Sequence, residues 1–212
     1  MAGVRVESYI ESLAVPAPKY LEELARYAVE HNVPIIRPAM RDLIRTLVYI
    51  HKPMTILEIG SAIGFSALYM REYAPAECRI TTIENYAPRI EEAHKNFDRY
   101  DPDRRITLIE GDAGDILKRL DTAFDMIFMD GPKGQYLNMY GDVKRLLKAD
   151  GLLVSDNIMQ DGDILESRYA VVRRDRTIHS RMREYLYKLT HDEDYSTSIL
   201  PVADGVSVSV RI

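Results

Sequence analysis

Apolar residues recur at helical spacing in the first quarter of the chain. Leu21, Leu24, Ala25, Ala28 and Val29 form one stripe, and Leu43, Ile44, Leu47 and Val48 form another. Residues 5–50 therefore read as helices, punctuated by Pro16, Pro18, Pro34 and Pro38. From residue 54 the texture changes. Apolar runs of strand length at Met54–Ile59, Arg79–Ile83, Ile106–Ile109, Met126–Met129 and Leu152–Val154 alternate with amphipathic stretches at 62–74, 87–99, 113–120 and 135–148. That alternation predicts an α/β fold, a doubly wound, Rossmann-like sheet with helices on both faces. A long helix is expected over 166–189. After it, Ser196–Val202 and Val206–Ile212 flank Ala203-Asp204-Gly205, a hairpin signal. The expectation is one domain over 1–212, with seven strands. Five are parallel, the C-terminal pair is an antiparallel hairpin, and helices of residues 1–50 pack on the sheet.

Composition narrows the class. The 212 residues are 46% hydrophobic and 29% charged, values of an ordinary globular chain able to bury a core without staples. No run of 18 apolar residues is present, so no membrane-spanning helix is expected. Met1–Ser8 lacks the basic start and apolar run of a signal peptide. Cys78 is the single cysteine, which excludes an internal disulfide and a cysteine-rich zinc site and suits a cytoplasmic protein. The five histidines show no metal-ligand spacing and read as surface or cap residues. A net charge of −5 argues against a general nucleic-acid binder. Locally the balance reverses. Between Glu166 and Lys188, Arg168, Arg173, Arg174, Arg176, Arg181, Arg183 and Lys188 face three acids, a net of +4. Clustered arginines suit phosphate contacts, from RNA or from a phosphorylated small molecule; a solvated helix face has the same composition. Tyr185, Tyr187 and Tyr195 read either as platforms for a base or as packing residues.

Two constellations carry chemistry. In the first, Ile56–Ile59 runs into Gly60-Ser-Ala-Ile-Gly64 and then into a helix. Gly60 permits a tight turn, and its missing side chain lets a ligand approach the backbone. Glu84 ends the next strand, where a carboxylate accepts hydrogen bonds from ribose hydroxyls, and Asp112 follows the third. Position 62 is alanine, so the dinucleotide fingerprint is broken, which disfavours a dinucleotide-dependent oxidoreductase. In the second, Asp130 follows the fourth strand, Lys133 lies three residues on, and Asp156-Asn157 follow the fifth. Two carboxylates and an amide oxygen on neighbouring strand ends suit Mg²⁺ or Mn²⁺. Each position alone reads equally well as a helix cap or turn residue. A lysine beside a cation is a candidate base.

Glu58-x-Gly60-x-x-x-Gly64 resembles the cofactor motif of class I methyltransferases, which bind S-adenosylmethionine. With Asp130-x-x-Lys133 and Asp156-Asn157 it is similar to the metal-dependent O-methyltransferases of the catechol and caffeoyl-CoA type. The resemblance implies that Gly60, Ser66, Glu84, Asp112, Ala113 and Asp130 line an S-adenosylmethionine site. It implies further that Asp130, Asp156 and Asn157 hold the metal and that Lys133 and Asp130 are catalytic. His31-Asn-Val-Pro-Ile35, Lys133-Gly-Gln-Tyr136 and Asp194–Gly205 are similar to the bacterial branch that methylates 5-hydroxyuridine in tRNA, with Gly131-Pro132 a departure. The acceptor is then tRNA or, alternatively, a hydroxylated aromatic or CoA-linked small molecule. A homodimer joined through the N-terminal helices is expected. A nucleotide- or RNA-binding module without catalysis would keep Gly60 and Glu84 but would not need the second constellation.

Overall fold

The computed structural model describes residues 8–10 and 12–212. Residues 5–7 and 11 of the expected helical segment, and all but Ser8 of the start read for a leader, lie outside them. After helical residues at 8–10 and 12, helices α1 (Lys19–Glu30) and α2 (Pro38–His51) precede the sheet. Pro38 sits in the first turn of α2, where its missing N–H costs nothing, and Lys52 ends the helix in the left-handed conformation. The chain then alternates: β1 (Thr55–Ile59), α3 (Phe65–Tyr73), β2 (Arg79–Glu84), α4 (Ala87–Tyr100), β3 (Ile106–Glu110), α5 (Ala113–Arg119), β4 (Phe124–Met129), α6 (Tyr136–Leu146) and β5 (Leu147–Ser155). It closes with α7 (Arg176–Thr190), β6 (Tyr195–Leu200) and β7 (Val206–Arg211).

The seven strands form one sheet in the order β3-β2-β1-β4-β5-β7-β6. β1 to β5 are parallel; β7 runs antiparallel to both β5 and β6. Successive strand residues point to opposite faces, and both faces are buried. Ile56, Met126, Phe128, Leu152 and Val154 pack with α1 to α4 on one side. Leu57, Ile59, Ile127, Met129 and Leu153 pack with α5 to α7 on the other. This two-sided burial explains why the strands read as continuous apolar runs rather than as alternating ones.

Several boundaries differ from expectation: β5 starts at Leu147, inside the stretch 135–148 read as helix, and two further ones have a plain physical cause. Residues 62–64 belong to the turn before α3, not to the helix, because Gly60, Ala62 and Gly64 all take positive φ. The expected helix over 166–189 begins only at Arg176. Val171 is the only buried residue between Leu165 and Ile178, so residues 166–175 offer no apolar stripe to dock a helix, and their arginines repel.

The hairpin braces the loop that follows β5. Ile158 N–H donates to Gly205 O at 3.0 Å and Met159 N–H to Asp204 O at 2.9 Å. Gly60 is held as tightly at the opposite side of β4. Its φ is +98°, and a Cβ there would lie 2.5 Å from the Asp130 carbonyl oxygen. The space that glycine leaves is thus filled by the chain's own backbone and is not open to a ligand, a correction to the sequence reading. Gly60→Ala is expected to destabilise the fold by about 2 kcal/mol or more, from strain plus the clash. Urea unfolding checks this; an unchanged midpoint would contradict the close approach.

Candidate active site at the carboxyl edge of the sheet

The strand order reverses between β1 and β4, and ligands in such sheets sit beyond the carboxyl ends at that point. A cavity of about 780 Å³ lies there, lined by Gly60, Glu84, Asp112, Ala113, Asp130, Lys133, Asp156 and Asn157. The α1–α2 connection, Pro34 to Arg37, closes its outer side. Eight of the nine expected site residues therefore share one wall.

Glu84 is buried and already engaged. Its Oε2 accepts from Ala62 N–H at 2.8 Å, and its Oε1 from Asn85 and Tyr86 N–H at 3.0 Å each. It thus fixes the Gly60–Gly64 turn and keeps lone pairs for a ligand. Asp112 also caps α5, accepting from Asp115 N–H at 3.2 Å. The helix-cap alternative does not hold for Asp130, whose Oδ1 accepts from Lys133 Nζ at 2.9 Å and from Asn157 Nδ2 at 3.0 Å. Asn157 has φ +55°, which asparagine tolerates better than most residues. Asp156 is 2% exposed, and its Oδ1 accepts from Asn157 N–H at 2.7 Å. Burial and then the nearby Asp130 charge push its carboxyl up to about 6, with Lys133 pulling the other way.

Ser66 departs from expectation. It does not line the cavity; it is buried in the first turn of α3 and hydrogen-bonds Glu58. Glu58 is wholly buried, accepts from Thr82 Oγ1 at 2.5 Å, and its Oε1 has no partner. Burial pushes its carboxyl up to about 7, against the Ser66 and Thr82 hydrogen bonds, and the Asp130 and Glu84 charges add to the rise. Among the described residues no three His, Cys, Asp or Glu side chains form a metal-binding group. The candidate set has two carboxylates and completes itself with an amide.

A family profile described as O-methyltransferase matches residues 11–212. The chain belongs to this O-methyltransferase family. It is 29% identical to a catechol O-methyltransferase of Niastella koreensis over 76% of each chain. It is 27% identical to the caffeoyl-CoA O-methyltransferase of Citrus natsudaidai, over 92% of this chain and 88% of that one. The SAH-bound methyltransferase of Podospora anserina superposes with a TM-score of 0.87 at 26% identity, covering all of this chain and 95% of the other.

For this O-methyltransferase, sequence reasoning assigned no role to two residues. Tyr136 is buried beneath Lys133; it receives the Lys133 ammonium at 3.0 Å and donates to Met129 O at 2.8 Å. Its place at the end of the Lys133-Gly-Gln-Tyr136 run was the available signal. Glu58 stands out in the sequence only as the first member of the Glu58-x-Gly60-x-x-x-Gly64 motif. Among the histidines, His31 and His191 are helix caps as expected, but His179 is 2% exposed and buried. Tyr185 and Tyr195 are packing residues in the core, while Tyr187 is exposed and stacks on His191.

The Asp156 shift has a stability consequence. Its folded carboxyl keeps a proton to about 6, against an ordinary 3.8, so between these values the native chain binds more protons than the unfolded one. Stability contributed by this group is therefore lost as pH rises through that window. Asp156→Asn is expected to stabilise the metal-free protein at neutral pH by about 1–3 kcal/mol, a gain that fades below roughly pH 4. Denaturation in chelator at both pH values checks this, and an equal gain at each would rule out charge burial as the cause.

Proposed function

We propose that this O-methyltransferase uses S-adenosylmethionine as donor and Mg²⁺ or Mn²⁺ as cofactor to methylate a ring hydroxyl flanked by a second oxygen. One observation carries the reading: oxygen donors from Asp130, Asp156 and Asn157 meet on adjoining strand ends, in the same cavity as Glu84 and the Gly60 turn. The donor set is hard and anionic, and the crowding that raises Asp156 is what a cation would relieve. Asn157 uses its Nδ2 on Asp130, leaving its amide oxygen for the ion. The cavity volume suits a cofactor-sized ligand. The SAH in the Podospora anserina structure supports the donor. S-adenosylmethionine supplies a methyl group on a positively charged sulfur, and a divalent cation lowers the pKa of a bound hydroxyl and fixes its direction.

The chain's own residues do the rest. Glu84 offers its remaining lone pairs to ribose hydroxyls, with Asp112 and Ala113 on the same wall. Ser66 acts through Glu58. Asp130 stands between the cofactor turn and the cation ligands and ties the two together. Lys133 gives two of its three N–H donors to Asp130 and Tyr136; as an ammonium it has the third left to hold the acceptor oxygen, and only as the neutral amine would it take that oxygen's proton. Holding donor and acceptor in line supplies much of the rate.

The catechol and caffeoyl-CoA relatives support a hydroxylated aromatic small molecule as acceptor. A second reading, 5-hydroxyuridine in tRNA, is favoured by the basic segment, which reaches the cavity rim where Arg181 donates to Asn138 at 2.6 Å. A twin subunit would cover Val29, Tyr49 and Ile50, which are exposed on α1 and α2.

Two substitutions separate the subsites. Asp156→Ala should abolish turnover yet leave cofactor affinity nearly intact, as should chelator on the wild type. Glu84→Ala should weaken cofactor binding roughly 10- to 100-fold, the loss of hydrogen bonds to a charged group. Calorimetry with the cofactor and a labelled-methyl assay read both; full activity in excess chelator would sink the metal. For the acceptor, replacing Arg173 and Arg174 by Ala should flatten the log-affinity against log-salt slope for any tRNA by roughly one unit per lost phosphate contact. Turnover of a small diphenol should hardly change. A wild type that binds no tRNA while methylating diphenols decides for the small molecule.

A further inference from the structure

A second cavity, of about 420 Å³, lies on the basic segment and is lined by Ser167, Arg168, His179, Ser180 and Arg183. Its lining holds two guanidinium groups, an imidazole and two hydroxyls, and no carboxylate. His179 Nε2 sits 3.1 Å from Glu166 O, an acceptor only, so Nε2 carries a hydrogen and donates it. That leaves Nδ1, which is buried and has no partner in the described structure. A buried ring nitrogen without a partner is costly unless something else completes it. Around it, Arg168 and Ser167 make no side-chain hydrogen bond among the described residues, and Arg183 spends one on Ile164 O at 3.2 Å. The helix that carries the cavity also touches the segment after Lys133. His179 follows Ile178, whose Cγ1 would lie 3.6 Å from a Cβ on Gly134, the residue after Lys133.

We propose that this cavity is a phosphate subsite that takes a phosphomonoester carried by the acceptor; in this it rests on the methyl-transfer reading above. The two arginines supply charge-assisted donors for the phosphate oxygens, and the Ser167 hydroxyl supplies a further one, the Ser180 hydrogen being spent on Arg176 O at 2.9 Å. The imidazole explains the preference for a monoester. A phosphomonoester has its second ionisation near pH 6, so one proton can be shared between a phosphate oxygen and Nδ1 without leaving either group bare. A phosphodiester of an RNA backbone brings no such proton, and neither does sulfate at neutral pH.

The test uses the full chain and inorganic phosphate, with sulfate and dimethyl phosphate alongside, followed by calorimetry and by NMR of the histidine rings. Expected are saturable phosphate binding that shifts the His179 ring signals, and affinities for sulfate and dimethyl phosphate lower by about tenfold or more. Arg168→Gln with Arg183→Gln should weaken phosphate by a similar factor; both positions are exposed, so the fold should survive. His179→Gln should bring phosphate down to the sulfate level. Phosphate affinity unchanged in the double variant, or His179 signals that do not move, would overturn the site. Equal affinity for all three anions would overturn the monoester preference. The link to the acceptor is read separately. With a catechol bearing a phosphomonoester and its dephosphorylated counterpart, the double variant should raise KM at least fivefold more for the first. An equal rise for both would break that link. A chain that binds phosphate at His179 but transfers no methyl group would instead refute the proposed reaction and leave the cavity assignment standing.

Discussion

The contact between two glycine turns governs where every functional group of this protein can stand. Gly60 ends β1, and the Asp130–Gly131 backbone ending β4 lies where a Gly60 side chain would be. Gly131 is also confined, though less tightly, because a Cβ on it would sit 3.1 Å from Ile59 Cγ2. With Asp130 N–H bonded to Ile59 O at 2.9 Å, the two strand ends are locked side by side. The turn read as a cofactor cradle and the acid read as a metal ligand are therefore one rigid unit. A shift of either moves the other.

The second constraint is electrostatic. Glu58, Glu84, Asp130 and Asp156 lie at or near the ends of four adjoining strands, and burial makes their charges felt. The upward shifts of Glu58 and Asp156 both include a contribution from Asp130. Lys133 is hydrogen-bonded to that same acid. A pocket with this surplus of negative charge is costly when empty and favours positively charged ligands, such as a sulfonium and a divalent ion, on electrostatic grounds alone.

Much of this was legible in the sequence. Five apolar runs marked the parallel strands, although the fifth, Leu152–Val154, is only the end of the longer β5, and the acids that follow them fall at one edge because parallel strands share a direction. The Asp-Gly turn marked the hairpin. What stayed hidden depends on tertiary placement. Ser66 and Glu58 look like two members of a ligand-binding motif, yet they face each other across the β1–α3 packing. His179 sits in a strongly charged stretch that reads as solvated, but its turn of α7 faces the core. The N-terminal limit of α7 was misread because charge density hides the absence of a docking stripe, and helical periodicity is weak evidence when most positions are polar. Tyr136 stands in the sequence as the end of the Lys133-Gly-Gln-Tyr136 run; only the fold brings it beneath Lys133.

The brace between the hairpin turn and the loop after β5 ties the site to the order of synthesis. Asp156 and Asn157 emerge from the ribosome well before Gly205 and Asp204, whose carbonyl oxygens hold the neighbouring Ile158 and Met159. A nascent chain extended through Met159 already carries every acid of the site, but β5 is then an exposed sheet edge and its following loop has no support. Such an intermediate combines an open edge with crowded, unpaired carboxylates, and both disfavour early closure of the pocket. The corner that holds Asp156 and Asn157 is thus braced only once β7 lies beside β5.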